Sequence, residues 1–159
     1  EQAGIPTHYL GPGPGENCLL VKRARSFGLE VICREKAWGS FVRRYGKYTA
    51  EGMPLPSLVE FTLKDDDRGD PPVTAETLAA LQIASPAAAG YMEEAARRAT
   101  LPIKERLAEK GLELIDIKYE FGEADGRILL IDEISGDSMR VLQGNRVLLP
   151  HEPAAIILG

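Results

Sequence analysis

The sequence predicts an α+β fold, in which an antiparallel sheet packs against helices. Residues 115–121 alternate between apolar and charged side chains, as a half-buried strand does, and Asp125-Gly126 marks a hairpin turn before a second strand at 130–134. Ser85-Pro86 is a hydroxyl cap followed by a proline, and it predicts a helix that runs to about Lys110 before Gly111. Further strand patterns occur at 7–10, 18–24, 29–34 and 58–63.

Local signals between these elements predict the connections. Residues 11–15 alternate glycine with proline and predict a turn, residues 52–56 predict a loop, and residues 64–72 predict a charged loop. A helix is expected over 36–45, ended by Gly46, and a short one is expected to open at Thr74. Pro102 should kink or break the long helix, because proline removes a backbone donor. Residues 1–6 are typical of a helix end followed by an extended segment, and the chain beyond Arg140 is left unassigned.

Composition limits the function classes. The chain has 159 residues and a formal net charge of −5, which suits one soluble domain and argues against a protein that coats nucleic acid. Cys18 and Cys33 fit neither a metal-site spacing nor a disulfide framework, so a cytoplasmic location is expected. There is no apolar run of membrane-spanning length, no signal peptide and no initiator methionine, and we expect residues upstream of Glu1.

The strand at 115–121 carries the clearest chemical signal. Asp116, Lys118 and Glu120 share one face, while the side chains between them are apolar. Carboxylates around a lysine suit a divalent cation that bridges phosphate oxygens, because Mg²⁺ prefers oxygen ligands and the ammonium offsets phosphate charge. A salt-bridged surface of an antiparallel pair is the alternative on pattern alone.

Two further segments are candidates for anion binding. Arg34 precedes Gly39-Ser40, and a guanidinium with a hydroxyl at a helix start can hold a phosphate. Arg140 follows a small polar loop at 135–138, which can form an anion pocket. A basic helix start and a solvent-facing turn are the respective alternatives. The acidic loop at 65–70 lacks the spacing of a calcium loop and is expected to be solvated.

Five motifs occur in an order that resembles the SAICAR synthetase family, over roughly residues 1 to 140. They are Leu-Leu-Val-Lys-Arg at 19–23, Leu-Glu-Val-Ile-Cys-Arg with Ala-Trp-Gly-Ser at 29–40, Leu-Lys-Asp-Asp with Gly-Asp-Pro at 63–71, Asp-Ile-Lys-Tyr-Glu-Phe-Gly at 116–122, and Ile-Asp-Glu-Ile-Ser through Arg140 at 131–140. The resemblance implies a two-lobed enzyme that binds ATP and Mg²⁺. It would join the carboxylate of CAIR to the amine of L-aspartate through an acyl phosphate.

The resemblance also implies roles for particular residues. Residues 1–27 would be a remnant of an N-terminal ATP-binding lobe, and residues 28–159 a C-terminal lobe with the nucleotide, metal and ribotide sites. The catalytic residues would be Lys118 and Asp116. ATP would contact Lys22, Glu30, Lys118, Glu120 and Asp132, with Glu120 and Asp132 as metal ligands. The substrate-binding residues would be Arg34, Ser40, Lys64, Asp70 and Arg140. Small molecules are the expected partners, without nucleic acid or membrane, and a homodimer stays open.

The departures from the family leave two function classes open. The lysine-rich glycine segment that covers the ATP phosphates is absent, Gly136 stands where a proline is usual, and residues 141–144 differ from the usual continuation. The chain is therefore either part of a purine-pathway ligase or a diverged relative. A diverged relative would use another carboxylate in secondary metabolism or act as a non-catalytic nucleotide-binding module. For these residues alone, SAICAR formation at the rate of a complete enzyme is not expected.

The resemblance also makes a prediction about strand register. A two-residue turn at Asp125-Gly126 would pair Lys118 with Glu133 and direct Asp132 to the apolar face. Because the resemblance requires Asp132 in the site, we expect a connection of odd length over 124–126, or a bulge in the strand.

Overall fold

The computed structural model describes residues 4–159, which form ten strands and four helices. The strands are β1 Tyr9–Pro12, β2 Leu19–Val21, β3 Arg25–Ser26, β4 Leu29–Lys36, β5 Pro54–Leu63, β6 Pro72–Val73, β7 Glu113–Ala124, β8 Arg127–Ile131, β9 Met139–Gln143 and β10 Arg146–Val147. The helices are α1 Ser40–Tyr45, α2 Ala75–Ala80, α3 Pro86–Ala108 and α4 Glu152–Leu158. Short 3₁₀ turns lie at Asp66–Arg68 and Gly136–Ser138.

Strand β7 organises the main sheet, which has eight strands in antiparallel pairs. The first half of β7 lies between β4 and β9, and its second half pairs with β3 and β8. The order through the longer path is β10-β9-β7-β4-β5-β6. Strands β1 and β2 form a separate two-stranded sheet. The predicted α+β class with an antiparallel sheet is confirmed.

The core lies between one face of this sheet and helix α3. Alternate residues of β4 and β7 point to this face, and they pack with the alanine-rich side of α3 around Met92. These strand residues are Leu29, Val31, Cys33, Ile117, Tyr119 and Phe121. The other face of the strands is thereby left to carry polar side chains. A smaller cluster of Ala37, Phe41 and Leu55 holds α1 against the sheet.

Three local predictions are wrong for tertiary reasons. The helix expected at 36–45 begins only at Ser40, because β4 continues to Lys36 and pairs with Pro54 after a bulge. The loop expected at 52–56 ends early, since β5 starts at Pro54; over these residues β5 pairs only with β4, so prolines that lack a donor are tolerated. Pro102 does not break α3, because buried residues on both sides of it hold the helix on the sheet; the kink expected as the alternative stays a prediction.

The chain ends complete the description. The chain beyond Arg140, which the sequence left unassigned, forms most of β9, then β10 and α4. The helix end expected at 1–6 lies partly outside the described residues; within them, Gly4 has a positive φ and the Pro6 carbonyl accepts a hydrogen bond from Leu130. In residues 4–159, none of the helices combines the length and apolarity needed to cross a bilayer.

Candidate functional site

The sheet face opposite α3 carries most of the side chains singled out in the sequence. We call it the charged face, and it comprises Glu30 and Arg34 of β4, Glu60 and Thr62 of β5, Asp116, Lys118 and Glu120 of β7, and Arg140 of β9. The two-residue period of each strand places these side chains together, because their neighbours in sequence fill the core. The alternation along β7 therefore separates core from site as predicted.

Two lysine–carboxylate pairs occupy one half of the charged face. Lys118 Nζ lies 2.9 Å from Glu30 Oε1, and Thr62 donates to the other oxygen of Glu30 at 3.2 Å. Lys64 reaches from the end of β5 to Glu120 Oε1 at 2.6 Å. Glu120 raises the pKa of Lys64 by this hydrogen bond. Burial lowers the pKa of Lys118, but its hydrogen bond to Glu30 and the negative charges of Glu30 and Glu120 together outweigh burial and raise it overall. Both lysines are thus held as cations.

Asp132 joins these pairs by a route that the sequence did not predict. The hairpin has a clean two-residue turn at Asp125-Gly126, with Ala124 opposite Arg127, so the expected odd-length connection or bulge is wrong. Strand β8 ends at Ile131, opposite Glu120, and Asp132 has a left-handed φ of 71°. The chain leaves the sheet there, so Asp132 is exposed rather than buried in the core.

The ionisation of Asp132 is influenced by these groups. Burial opposes ionisation, yet the pKa of Asp132 is lowered by hydrogen bonding with Glu133 and by interactions with Lys64 and Glu120. The two carboxylates expected to bind a metal, Glu120 and Asp132, therefore lie in one neighbourhood with Lys64. Within residues 4–159, histidine, cysteine and carboxylate side chains do not assemble into a metal-binding group of three or more.

The other half of the charged face is a ladder of alternating charges. In order across β9, β7, β4 and β5 it runs Arg140, Asp116, Arg34, Glu60, and Arg44 of α1 completes it. Arg140 donates to Asp116 through Nε at 2.8 Å and through Nη2, and Arg34 Nη1 donates to Asp116 at 2.8 Å. Arg34 Nε donates to Glu60 at 2.6 Å, and Arg44 Nη2 contacts both Glu60 oxygens at 2.6 and 2.8 Å. We call these five residues the arginine ladder.

Ser40 and Gly39 lie against the arginine ladder. The Ser40 hydroxyl is 3.4 Å from Arg34 Nη2, and Gly39 backs directly onto the Arg140 guanidinium. Arg34, Ser40 and Arg140 thus converge, as the sequence predicted. The two arginines differ in solvent exposure: Arg34 is 1% exposed, whereas the Arg140 side chain is 36% exposed. Arg140 is therefore the more accessible of the two guanidinium groups.

Two of the predicted site residues bond elsewhere. Lys22 Nζ is paired with Asp125 at 2.7 Å, at the exposed tip of the β7–β8 hairpin. Asp70 accepts a hydrogen bond from the Asp65 N–H at 2.9 Å and so closes the loop that follows Lys64. Their binding roles remain predictions.

Sequence reasoning missed three residues of the charged face and its helix, Glu60, Thr62 and Arg44. One side of the predicted strand carries Leu58, Glu60 and Thr62, and the residues between them are apolar. The available sequence signal for a site residue was therefore one acidic side chain on the more polar side of this strand. That signal does not reveal a partner 26 residues away in Arg34, because the β4–β5 register decides the pairing.

The fold and charged face define an α+β protein whose antiparallel sheet offers fixed cations and carboxylates on one side, a set suited to phosphate-bearing ligands. Residues 1–151 match the profile of the SAICAR synthetase family. The phosphoribosylaminoimidazole-succinocarboxamide synthase of Clostridium tetani is 44% identical over 158 residues, which cover 97% of this chain and 70% of that protein. The corresponding Thermotoga petrophila protein is 48% identical over 141 residues, which cover 88% of this chain and 60% of the relative.

Solved structures agree with these sequence matches. A SAICAR synthetase in complex with ADP superposes with a TM-score of 0.83 at 35% identity, over 92% of this chain and 63% of that one. The chain belongs to the SAICAR synthetase family. It spans 60% to 70% of the length of the two curated relatives named above.

Proposed function

We propose that this chain carries substrate and nucleotide-phosphate sites of an ATP-dependent ligase that joins CAIR to L-aspartate and so forms SAICAR. The observation that carries the proposal is the placement of two ion sets on one face of one sheet. The arginine ladder with Ser40 lies at one end, and the lysine–carboxylate pairs with Asp132 lie at the other. The relatives' names supply the reaction.

The ribotide phosphate would bind at the ladder end. Arg140 is accessible, and its guanidinium is oriented by two bonds to Asp116. Arg34 lies behind it and adds positive charge, while the Ser40 hydroxyl offers a further donor. Because Asp116 already accepts bonds from both arginines, its proposed role is to position them. It would support catalysis through the arginines, without contact with a reacting atom.

The nucleotide phosphates would bind at the other end. Lys118 and Lys64 are cations held against Glu30 and Glu120, and they can turn toward a more highly charged phosphate. The solved SAICAR synthetase with bound ADP supports a nucleotide in this family. Glu30 would contact the nucleotide at the edge of this pair, and Lys22 would do so only after leaving Asp125.

Glu120 and Asp132 fit a magnesium ion. Two neighbouring carboxylates, one buried and one exposed, provide hard oxygen donors, and Mg²⁺ commonly takes one or two carboxylates while phosphates and water complete its shell. When bound, the ion would neutralise charge on the transferring phosphoryl group. Lys64 would then exchange its bond to Glu120 for a phosphate oxygen, and Asp70 would keep its loop closed near the substrates.

The test is to supply ATP, Mg²⁺, CAIR and L-aspartate, and to measure ADP and SAICAR separately. Lys118→Met should reduce both products strongly, because it removes a cation from the phosphate site. Lys104→Met is the matched control, since Lys104 also pairs with a β4 carboxylate, Glu35, on the opposite face of the sheet. Wild-type protein that binds neither CAIR nor ADP would contradict the proposal.

A second candidate is favoured by one specific feature. Gly136 stands where the family usually has a proline, and the segment after Arg140 differs too, so the sequence departs from the family on both sides of this arginine. A family member acting on another carboxylate would bind ADP yet show no turnover with CAIR. The proposal also includes a cytoplasmic location and a homodimer. It further divides the chain into an N-terminal part, residues 1–27, and a C-terminal lobe, residues 28–159.

A further inference from the structure

We infer that Glu60 is a positioning residue of the anion site, acting through Arg34 and Arg44. The inference rests on the proposed function for its ligand, a phosphate monoester. Glu60 itself is not offered to that ligand, because its two oxygens already accept three hydrogen bonds from guanidinium groups.

Arg34 depends on Glu60 because its other contacts leave Nε without an acceptor. Arg34 is 1% exposed, so water does not replace a lost partner readily. Nη1 is used by Asp116 and Nη2 by Ser40, while Phe41 lies over the guanidinium with its centroid 5.7 Å away. Glu60 holds Nε at 2.6 Å from the side opposite Asp116. The planar group is thus fixed from two sides, and its orientation sets how Asp116 is shared with Arg140.

Glu60 also ties α1 to the sheet. Arg44 lies at the end of this helix and contacts both Glu60 oxygens, and Ser40 begins the same helix. The Arg44 Nε is buried without a hydrogen-bond partner among the described residues, so the bonds to Glu60, together with the Tyr45 ring 5.2 Å away, orient this side chain. Loss of Glu60 would therefore loosen Arg34 and the helix that presents the Ser40 hydroxyl.

Charge supports the same role. The arginine ladder has three guanidinium groups and two carboxylates, which leaves one positive charge in excess. Without Glu60, Asp116 would be the one carboxylate left in the ladder for three guanidinium groups. Arg34 would then move toward Asp116 and compete with Arg140 for its oxygens. The accessible Arg140 would then lose the orientation that suits a phosphate monoester.

The experiment measures binding of ribose 5-phosphate and of ADP by calorimetry, with Glu60→Gln as the variant. Glutamine keeps the shape but removes the charge and one acceptor. We expect ribose 5-phosphate to bind roughly tenfold more weakly and ADP to bind within about twofold of wild type. Glu60→Asp, which keeps the charge, should recover part of the loss. Glu93→Gln is the control, because Glu93 pairs with Arg97 on α3, outside the charged face.

A second measurement is independent of any ligand. Nitrogen-15 spectra of the arginine Nε–H groups should show the Arg34 signal protected from solvent exchange in wild type and unprotected in Glu60→Gln. Retained protection, or equal losses of ribose 5-phosphate and ADP binding, would overturn the positioning role. If the wild-type protein binds no phosphate monoester, the proposed function fails, and the Arg34 signal alone decides the role of Glu60.

Discussion

Gly39 and Arg140 are in direct contact: a Cβ built on Gly39 would overlap the Arg140 guanidinium, and Gly39 has a φ of 52°. Gly39 lies just before α1, and Arg140 lies in β9 at one end of the arginine ladder. Close approach and a left-handed backbone both favour glycine here. The position of Arg140 therefore depends on the absence of a side chain at residue 39.

Gly39→Ala should displace Arg140 and weaken the binding of ribose 5-phosphate by roughly tenfold, since a charge-assisted contact is lost. Gly144→Ala is the matched control, because Gly144 also has a positive φ of 60° but has open space around its Cβ position. Both variants should lose stability through backbone strain, and only Gly39→Ala should lose binding in calorimetry. Equal binding by the two variants would argue against the contact as a determinant.

The hairpin turn gives a prediction about stability alone. Asp125 and Gly126 both have positive φ, 51° and 69°, which is the type I′ geometry that suits the twist of paired strands. Gly126→Ala should lower the free energy of unfolding by about 1 kcal/mol, because Cβ disfavours that conformation. Gly126→Asn, which tolerates it better, should lose less. Urea unfolding measures both, and ADP binding should stay unchanged, as the turn lies outside the charged face.

The site residues of β7 could be predicted from the sequence, but two contacts that depend on strand pairing and backbone geometry could not. Asp116, Lys118 and Glu120 follow from alternation within one strand. The Arg34–Glu60 bond depends on how β4 meets β5, and the position of Asp132 depends on one backbone angle after Ile131. Neither leaves a local signal. Likewise, α1 begins late because pairing extends β4 to Lys36, which overrides the local helix preference.

Glu120 should determine the magnesium dependence of nucleotide binding. Glu120→Gln removes a charged oxygen donor, so we expect the added affinity that Mg²⁺ gives to ADP to fall by about tenfold. Glu113→Gln is the control on the same strand, because Glu113 pairs with Lys36 near the other end of β7. Calorimetric titration of ADP with and without Mg²⁺ measures the effect. An unchanged magnesium response in Glu120→Gln would contradict the assigned ligand.

The Lys118–Glu30 pair predicts a stability change at alkaline pH. Since folding raises the pKa of Lys118 above its ordinary value of 10.5, the native state binds the proton more tightly than the unfolded chain. The pair's contribution is full below that value and is lost as pH rises through the folded pKa. From about pH 10 upward through the folded pKa, wild type should therefore lose more unfolding free energy than Lys118→Met. Parallel pH profiles of the two proteins would refute the linkage.

Gly136 should control how the C-terminal segment packs. A Cβ at residue 136 would overlap the Pro150 backbone, while Leu148 just before it is buried and α4 follows just after it. Gly136→Ala should therefore push this segment off the Gly136–Ser138 turn and expose Leu148, at a cost of about 2 kcal/mol in unfolding free energy. Limited proteolysis should then release α4 sooner than in wild type. Gly90→Ala, with no positive φ and open space around its Cβ position, controls for the added methyl group. Because the same turn leads into β9, the variant should also weaken ribose 5-phosphate binding through Arg140. Faster release of α4 with unchanged binding would show that the segment packs on this turn without fixing the ladder.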